Sequence, residues 1–352
     1  MRLEILRHCY LMVRKVIFGT LAILLVLIIW NWSLLIYGIN QGIGQLNIVW
    51  NARPVDEILA DPQFPDSLKA KLRLIDDVRK FAIDSLGLKD TDNYKTLYDQ
   101  KGEELMWVVT ACAPFELKPK EWIFPVIGSV PYKGYFDKEK ARAEKTQLEK
   151  EGWDVSVMNP GGWSTLGWFT DPILSGMLTR SEGDLAGLII HEMVHATFFV
   201  KDSVELNENL ASFIADTTAY DFLKWKFGTD SKEYKTYLYE DQDYRRYYPH
   251  VLRGTKMLDS LYGTMKNESF EVKKQKKEDA IRRIVETMDT LTLHTTRKPS
   301  QRYQKKLPNN TYFMSYRRYQ SKQLFLKQEL DKDHSGDILR MIKTYESQYP
   351  FL

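Results

Sequence analysis

The sequence predicts an α+β fold, with a β-containing half over about residues 38–180 and a helical half over about 181–352, behind one N-terminal apolar helix. Three observations carry this prediction. Residues 16–37 form a mostly apolar run. Short segments rich in Val and Trp, bounded by turn residues, lie in the first half of the chain. After about residue 206 the apolar residues recur at helical spacing between charged faces.

The chain has 352 residues, enough to bury a sizeable core in one or two domains. A hydrophobic content of 43% and a mean hydropathy of −0.40 are those of a globular protein and exclude a polytopic membrane protein. The net charge of +3 and the lack of a basic stripe with stacking aromatics argue against a nucleic-acid partner. The basic stretch Lys273-Lys274-Gln275-Lys276-Lys277 reads as a solvated helix face.

Val16 to Tyr37 spans 22 residues, about 33 Å as a helix, enough to cross a bilayer. Arg2, Arg7, Arg14 and Lys15 precede it, and no Lys or Arg follows until Arg53. The positive-inside rule then puts residues 1–15 in the cytoplasm, a transmembrane anchor in contact with lipid at 16–37, and residues 38–352 outside. A cleaved signal peptide is the alternative; the run is longer than a typical h-region and no A-x-A site follows, which favours a retained anchor. The expected location is the inner (cytoplasmic) membrane, single-pass, with the main domain facing the periplasm or exterior. Cys9 and Cys112 would lie on opposite sides of the bilayer, so no disulfide joins them; Cys112, within Met106-Trp-Val-Val-Thr-Ala-Cys112, reads as a small buried hydrophobe.

Along the chain, Asp66 to Leu86 reads as a helix, with Leu68, Leu72, Ile75, Val78, Phe81 and Ala82 on one face. Leu105 to Ala113 reads as a buried strand, and Trp122 to Tyr135 as a strand pair or a bent strand around Gly128 and Pro131. Asp137 to Glu151 is a charged helix, and Trp153 to Met158 alternates like a strand. Asn159-Pro-Gly-Gly162 is a turn, and Ser164 to Phe169 fits a short strand. Helices follow over 206–227 and on to about Thr292; Pro299 and Pro308 bracket a polar connection; 311–332 and 336–347 read as closing helices.

Between the halves lies His191-Glu192-Met193-Val194-His195. On a helix, positions i and i+4 share a face, so both imidazoles can reach one metal ion. Glu192 then sits where a carboxylate can take a proton from water. This is the H-E-x-x-H pattern of zinc peptidases, and the apolar flanks Leu185–Ile190 and Ala196–Val200 supply a buried helix for it. A catalytic zinc takes three protein ligands. Lys201 occupies the position of the third histidine of metzincins, which excludes that class. Thermolysin-like enzymes use a glutamate on a following helix, often within Asn-Glu, and Asn207-Glu208 fits, twelve residues beyond His195. Glu208 is the expected third ligand and Glu205 the alternative; Asn207 or Asp216 can act behind the ligands, orienting an imidazole. In thermolysin-like enzymes an edge strand ahead of the motif helix pairs with the substrate backbone, which assigns substrate binding to Thr165, Leu166 and Gly167; the other reading is an ordinary core strand.

These residues resemble the bacterial "putative aminopeptidase" family. The resemblance extends to Trp163-Ser-Thr-Leu-Gly-Trp-Phe169, Asp171-Pro-Ile-Leu174, Val200-Lys-Asp202 and Asn207-Glu208. Upstream it takes in Phe124-Pro125, Gly128 and Tyr132-Lys-Gly-Tyr-Phe136, and near the end Asn309-Asn310 and Tyr319. It runs from about Gly44 to about Tyr319 and is weak between about 229 and 300. It implies a zincin-like metallopeptidase domain with one Zn²⁺ on His191, His195 and Glu208, Glu192 as base, and peptide substrates. It also makes Tyr319 the candidate oxyanion donor, with Tyr316 second, and Asn309 and Asn310 either holders of the tetrahedral intermediate or helix caps. Neither Glu205 nor Asp202 is singled out as the acidic anchor an aminopeptidase needs. Two other readings remain at this point: a membrane-anchored interaction protein with a structural or vestigial metal site, and an intramembrane protease, which a single span argues against.

Overall fold

The computed structural model describes residues 10, 12–15, 17–20, 26, 29–124, 128–160, 170–201, 203–295 and 297–350. Of the described residues 66% are helical, with small sheets besides. Two compact units divide it, residues 1–50 and residues 51–352.

In the first unit, helix α1 (Trp32–Asn51) follows a turn at Asn31. Among the described residues no helix is long and apolar enough to cross a membrane. The transmembrane anchor expected over 16–37 is corrected by this finding, and the lipid contact and single-pass inner-membrane location that rested on it fall with it. The physical reason lies in where the helix runs. The turn at Asn31 interrupts the apolar run, and α1 carries on through Asn40, Gln41, Gln45 and Asn47. Residues 16, 21–25, 27 and 28 of the run lie outside the described residues.

The second unit opens with β1 (Arg53–Pro54), α2 (Val55–Ala60) and α3 (Asp66–Leu86). Helix α3 stops at Gly87, whose left-handed φ of +66° lets its N–H reach back to the carbonyls of Ala82 and Ile83. Three small sheets follow. Strand β2 (Thr96–Tyr98) pairs antiparallel with β1 and parallel with β8 (Ile173–Leu174). Strand β3 (Trp107–Cys112) is the centre of an antiparallel sheet between β6 (Lys133–Tyr135) and β7 (Asp154–Met158). Strands β4 (Trp122–Phe124) and β5 (Gly128–Val130) pair with each other, as the strand-pair reading of 122–135 anticipated. Helix α4 (Lys138–Lys150) packs on β7 and β3, its first turn capped by the Asp137 carboxylate.

The rest is helical: α5 (Glu182–Thr197), α6 (Val204–Phe227), α7 (Lys232–Thr264), α8 (Phe270–Thr287), α9 (Asn310–Gln320), α10 (Gln323–Asp333) and α11 (Ile338–Gln348). The expected helix over 311–332 is thus two helices. The break is stabilised from elsewhere: Asn209 on α6 accepts from the Lys322 N–H (2.9 Å), and its main-chain carbonyl accepts from Gln323 Nε2 (3.1 Å).

One core surrounds the motif helix α5. Leu185, Ile189, Ile190 and Met193 pack with Leu72, Ile75 and Val78 of α3 and with Leu210 and Ile214 of α6. A second core joins α7, α8 and α9 through Val251, Leu258, Ile284, Met288 and Phe313. Burying each such side chain contributes about 1.5–3 kcal/mol, so α5 is held from both sides. Cys112 is fully buried, and burial, aided by Asp154, pushes its thiol up to about 12, so it stays a protonated core residue.

Candidate metal centre

Helix α5 begins where Ser181 caps the Asp184 N–H, with Glu182 and Asp184 favourably placed against the helix dipole. One face of it is sealed in the core; the other presents His191 and His195 one turn apart. Helix α6 packs along α5 more extensively than any other pair of elements among the described residues. The connection between them is short, and Asn207 fixes it, its side chain donating to the Val200 carbonyl and accepting from the Val200 N–H, both at 2.8 Å. Asn207 therefore orients the loop and not an imidazole.

That register brings Glu208 onto the histidines. His191 Nε2 lies 3.2 Å from Glu208 Oε2 and 3.1 Å from His195 Nε2. His195 Nε2 lies 3.5 Å from the same carboxylate oxygen. The three can hold a metal ion, their ligand atoms all lying within 4.8 Å of one another. Glu205, the alternative ligand, faces away, accepting from Ser321 Oγ (3.1 Å) and pairing with Lys322 (3.5 Å).

Burial alone would lower the His191 pKa, but hydrogen bonding to Glu208 and the charge of Glu192 outweigh it and raise the pKa. Burial would likewise raise Glu208, yet the two imidazoles hold it well below the usual carboxylate range. Such a group is ready for a cation: a carboxylate that stays ionised beside two imidazole nitrogens, that of His195 buried and that of His191 half-buried.

The triad opens into a cavity of about 840 Å³. Glu192 lines it and makes no hydrogen bond among the described residues. Tyr319 and Tyr132 line it too, with the Arg318 guanidinium 5.8 Å from the Tyr132 ring centre. Tyr319 is 36% exposed, but its phenol is still desolvated and faces Glu208 and Glu192, which push its pKa up and keep it protonated. Burial and Glu208 act on Tyr132 in the same direction. Asn209 bonds the Arg318 carbonyl (2.5 Å), so the residue after Glu208 also fixes the turn that carries Tyr319.

The structure thus brings His191, Glu192, His195, Glu208 and Tyr319 to one cavity. Tyr316 stands apart, packed on Tyr247 and Tyr312 beside the second core. Asn310 is not brought to the cavity, and its expected substrate role is corrected on that ground. It is fully buried; its amide donates to the Ala113 (2.8 Å) and Pro114 (3.2 Å) carbonyls and accepts from the Tyr262 hydroxyl (2.7 Å). Asn309 caps α9 through the Thr311 N–H. Thr165, Leu166 and Gly167 lie outside the described residues, as does Asp202.

Residues that the sequence did not single out also line the cavity: Asp184, Tyr237, Glu240, Asp241 and Tyr244; Asp216, expected there only as an orienting group, lines it with them. The signal for two of them was present as spacing. Asp184 precedes His191 by seven residues and Asp216 follows Glu208 by eight, so each shares the helix face of its ligand.

A helical protein with a His-His-Glu group facing a large cavity is, at the level of class, one that could hold a metal ion. The family model described as "Putative aminopeptidase" matches residues 36–348, and the chain belongs to that family. Membership suggests a peptidase acting on peptides. No curated protein and no solved structure matches the chain.

Proposed function

We propose that the protein is a zinc-dependent aminopeptidase, with His191, His195 and Glu208 as metal ligands and Glu192 as general base. The observation that carries this is the size of the triad. Zinc bonds of about 2.0–2.1 Å in tetrahedral geometry require ligand atoms about 3.3 Å apart. The three separations here are 3.1, 3.2 and 3.5 Å. Two imidazoles and a carboxylate, with room beside them for water and substrate, match the donor set of catalytic rather than structural zinc sites.

When bound, the ion would supply Lewis acidity, bringing the pKa of a coordinated water towards about 7. The chain's own residues then have distinct tasks. Glu192, unengaged and facing the cavity, accepts the proton of the attacking water and returns it to the leaving amine. Tyr319, held protonated, donates to the oxyanion that develops on the scissile carbonyl. Asn207 and Asn209, on either side of Glu208, hold the loop after α5 and the turn bearing Tyr319.

The test is Glu192→Gln with zinc content measured alongside peptide hydrolysis. Metal stoichiometry should equal that of the wild type, and kcat should fall on the order of 10²–10⁴-fold. A variant with full activity overturns the assignment.

A further inference from the structure

Besides Glu192 and Glu208, four carboxylates line the cavity, and three are engaged. Asp241 accepts from the Tyr220 hydroxyl (2.6 Å) and pairs with Arg245 (2.6 Å). Asp184 pairs with Arg180 (2.6 Å). Glu240 accepts from Ser181 Oγ (3.1 Å). Asp216 has neither a hydrogen bond nor an ion pair among the described residues. It sits two turns beyond Glu208 on the same face of α6, about 12 Å along the helix axis. Its charge is felt at His191, so the carboxylate lies within electrostatic reach of the triad.

A desolvated carboxylate with no hydrogen bond or ion pair is costly; its neighbour Asp241 worsens the cost, and the more distant charges of His191 and Arg245 offset only part of it. The rings of Tyr237 and Tyr244 line the same cavity, a surface that favours a cation over an anion. The group that fits is compact, positively charged, rich in donors and joined to something that also reaches the triad. The α-ammonium of a peptide meets all four requirements.

We propose that Asp216 anchors the free α-ammonium group of the substrate, with Tyr237 and Tyr244 flanking it, and so sets the scissile bond at a fixed distance from the amino terminus. This rests on the peptidase reading above, since it supplies that reading with its direction. It differs from a role for Asp216 in orienting His191, because an orienting residue acts on metal affinity and is indifferent to whether the peptide amine is blocked.

The experiment uses zinc-loaded full-length protein carrying Glu192→Gln, so that turnover does not obscure binding. Trialanine and N-acetyl-trialanine are titrated calorimetrically, and zinc content is measured for each variant. Trialanine should bind at least about 10-fold more tightly than its acetylated form. Adding Asp216→Asn should erase that difference while zinc content stays the same. Equal binding of the two peptides before Asp216 is changed, no binding of trialanine, a preference that survives Asp216→Asn, or loss of zinc on that substitution each overturns the proposal. Failure of the peptidase reading has its own signature: wild-type protein that binds trialanine selectively and leaves peptides of any length intact.

Discussion

Two glycines on the motif helix make opposite predictions. A Cβ on Gly183 would lie 2.5 Å from Cγ and 2.6 Å from Cβ of Tyr237, whereas a Cβ on Gly187 would meet only the Tyr237 hydroxyl oxygen, at 4.0 Å. Carbon atoms need about 3.5–4.0 Å, so the first methyl overlaps its neighbour by about 1 Å. Tyr237 cannot swing aside, because the clash includes its own Cβ and the residue is buried, so α5 and α7 must separate. Overpacking of this kind costs about 1–3 kcal/mol. Replacing a helical glycine by alanine returns about 1 kcal/mol. Gly183→Ala should therefore be destabilised by up to about 2 kcal/mol net, and Gly187→Ala stabilised by up to about 1 kcal/mol, since it gains the helix preference without the clash. Urea unfolding followed by circular dichroism reads both. Equal effects at the two positions, or a Gly183→Ala protein more stable than wild type, would refute the close approach of α5 to Tyr237. Because Tyr237 also lines the cavity, Gly183→Ala should weaken peptide binding as well.

Glu208→Gln removes the ionised donor and should reduce zinc affinity on the order of 100-fold or more, read by competition with a chromogenic chelator; Glu205→Gln should leave it unchanged. Lys277 bonds both Asp154 and the Pro114 carbonyl, and its side chain is 10% exposed against 17% for Asp154. Lys277→Met leaves a half-buried carboxylate with only the Asn310 N–H, at a cost of about 3 kcal/mol by urea unfolding, and a loss under about 1 kcal/mol would contradict the pairing. Glu144 is pulled in opposite directions: burial would raise it, but the Lys133 charge and hydrogen bonds from Trp122, Tyr135 and Lys133 together lower it below 4.5. Because the folded pKa lies below the unfolded one, the unfolded chain takes up the proton first; the stabilisation is whole above pH 4.5 and fades as pH falls below it. Melting temperatures of wild type and Glu144→Gln should thus differ at pH 7 and converge in acid, and a gap that stays constant with pH would show that the charge is not involved.

What the sequence made legible was local. The motif helix could be read because its apolar flanks and its two histidines act within one element. Glu208 was legible because a short connection leaves few ways to bring a carboxylate back to the same metal. Strands β1 and β8 were not legible: each is two residues long, and their pairing to β2 depends on partners 40 or more residues away. The break between α9 and α10 depends on Asn209, over a hundred residues upstream, and the fate of Asn310 on Ala113, Pro114 and Tyr262. The anchor expected over 16–37 was an inference from composition, which averages over the turn at Asn31. Asp216 had the right spacing from Glu208, but its significance appears only once its neighbours are seen to be paired and it is not.

One turn of α6 ties these parts together. Asn207 clamps Val200 in the loop after the motif helix, Glu208 faces the histidines, and Asn209 holds the Arg318 carbonyl and the Lys322 N–H. Three consecutive side chains project in different directions from a helix, so a single turn can fix three separate segments in one register. The loop behind the ligands, the ligand itself and the turn bearing Tyr319 are therefore set by one rigid element and not by three independent contacts. The same helix carries Asp216 two turns on. A peptide spanning the cavity would thus have the donors to its scissile carbonyl and the acceptor for its amine placed by one scaffold. The distance between them would be fixed by the helix rise of about 1.5 Å per residue, a ruler that does not depend on how the surrounding loops are arranged.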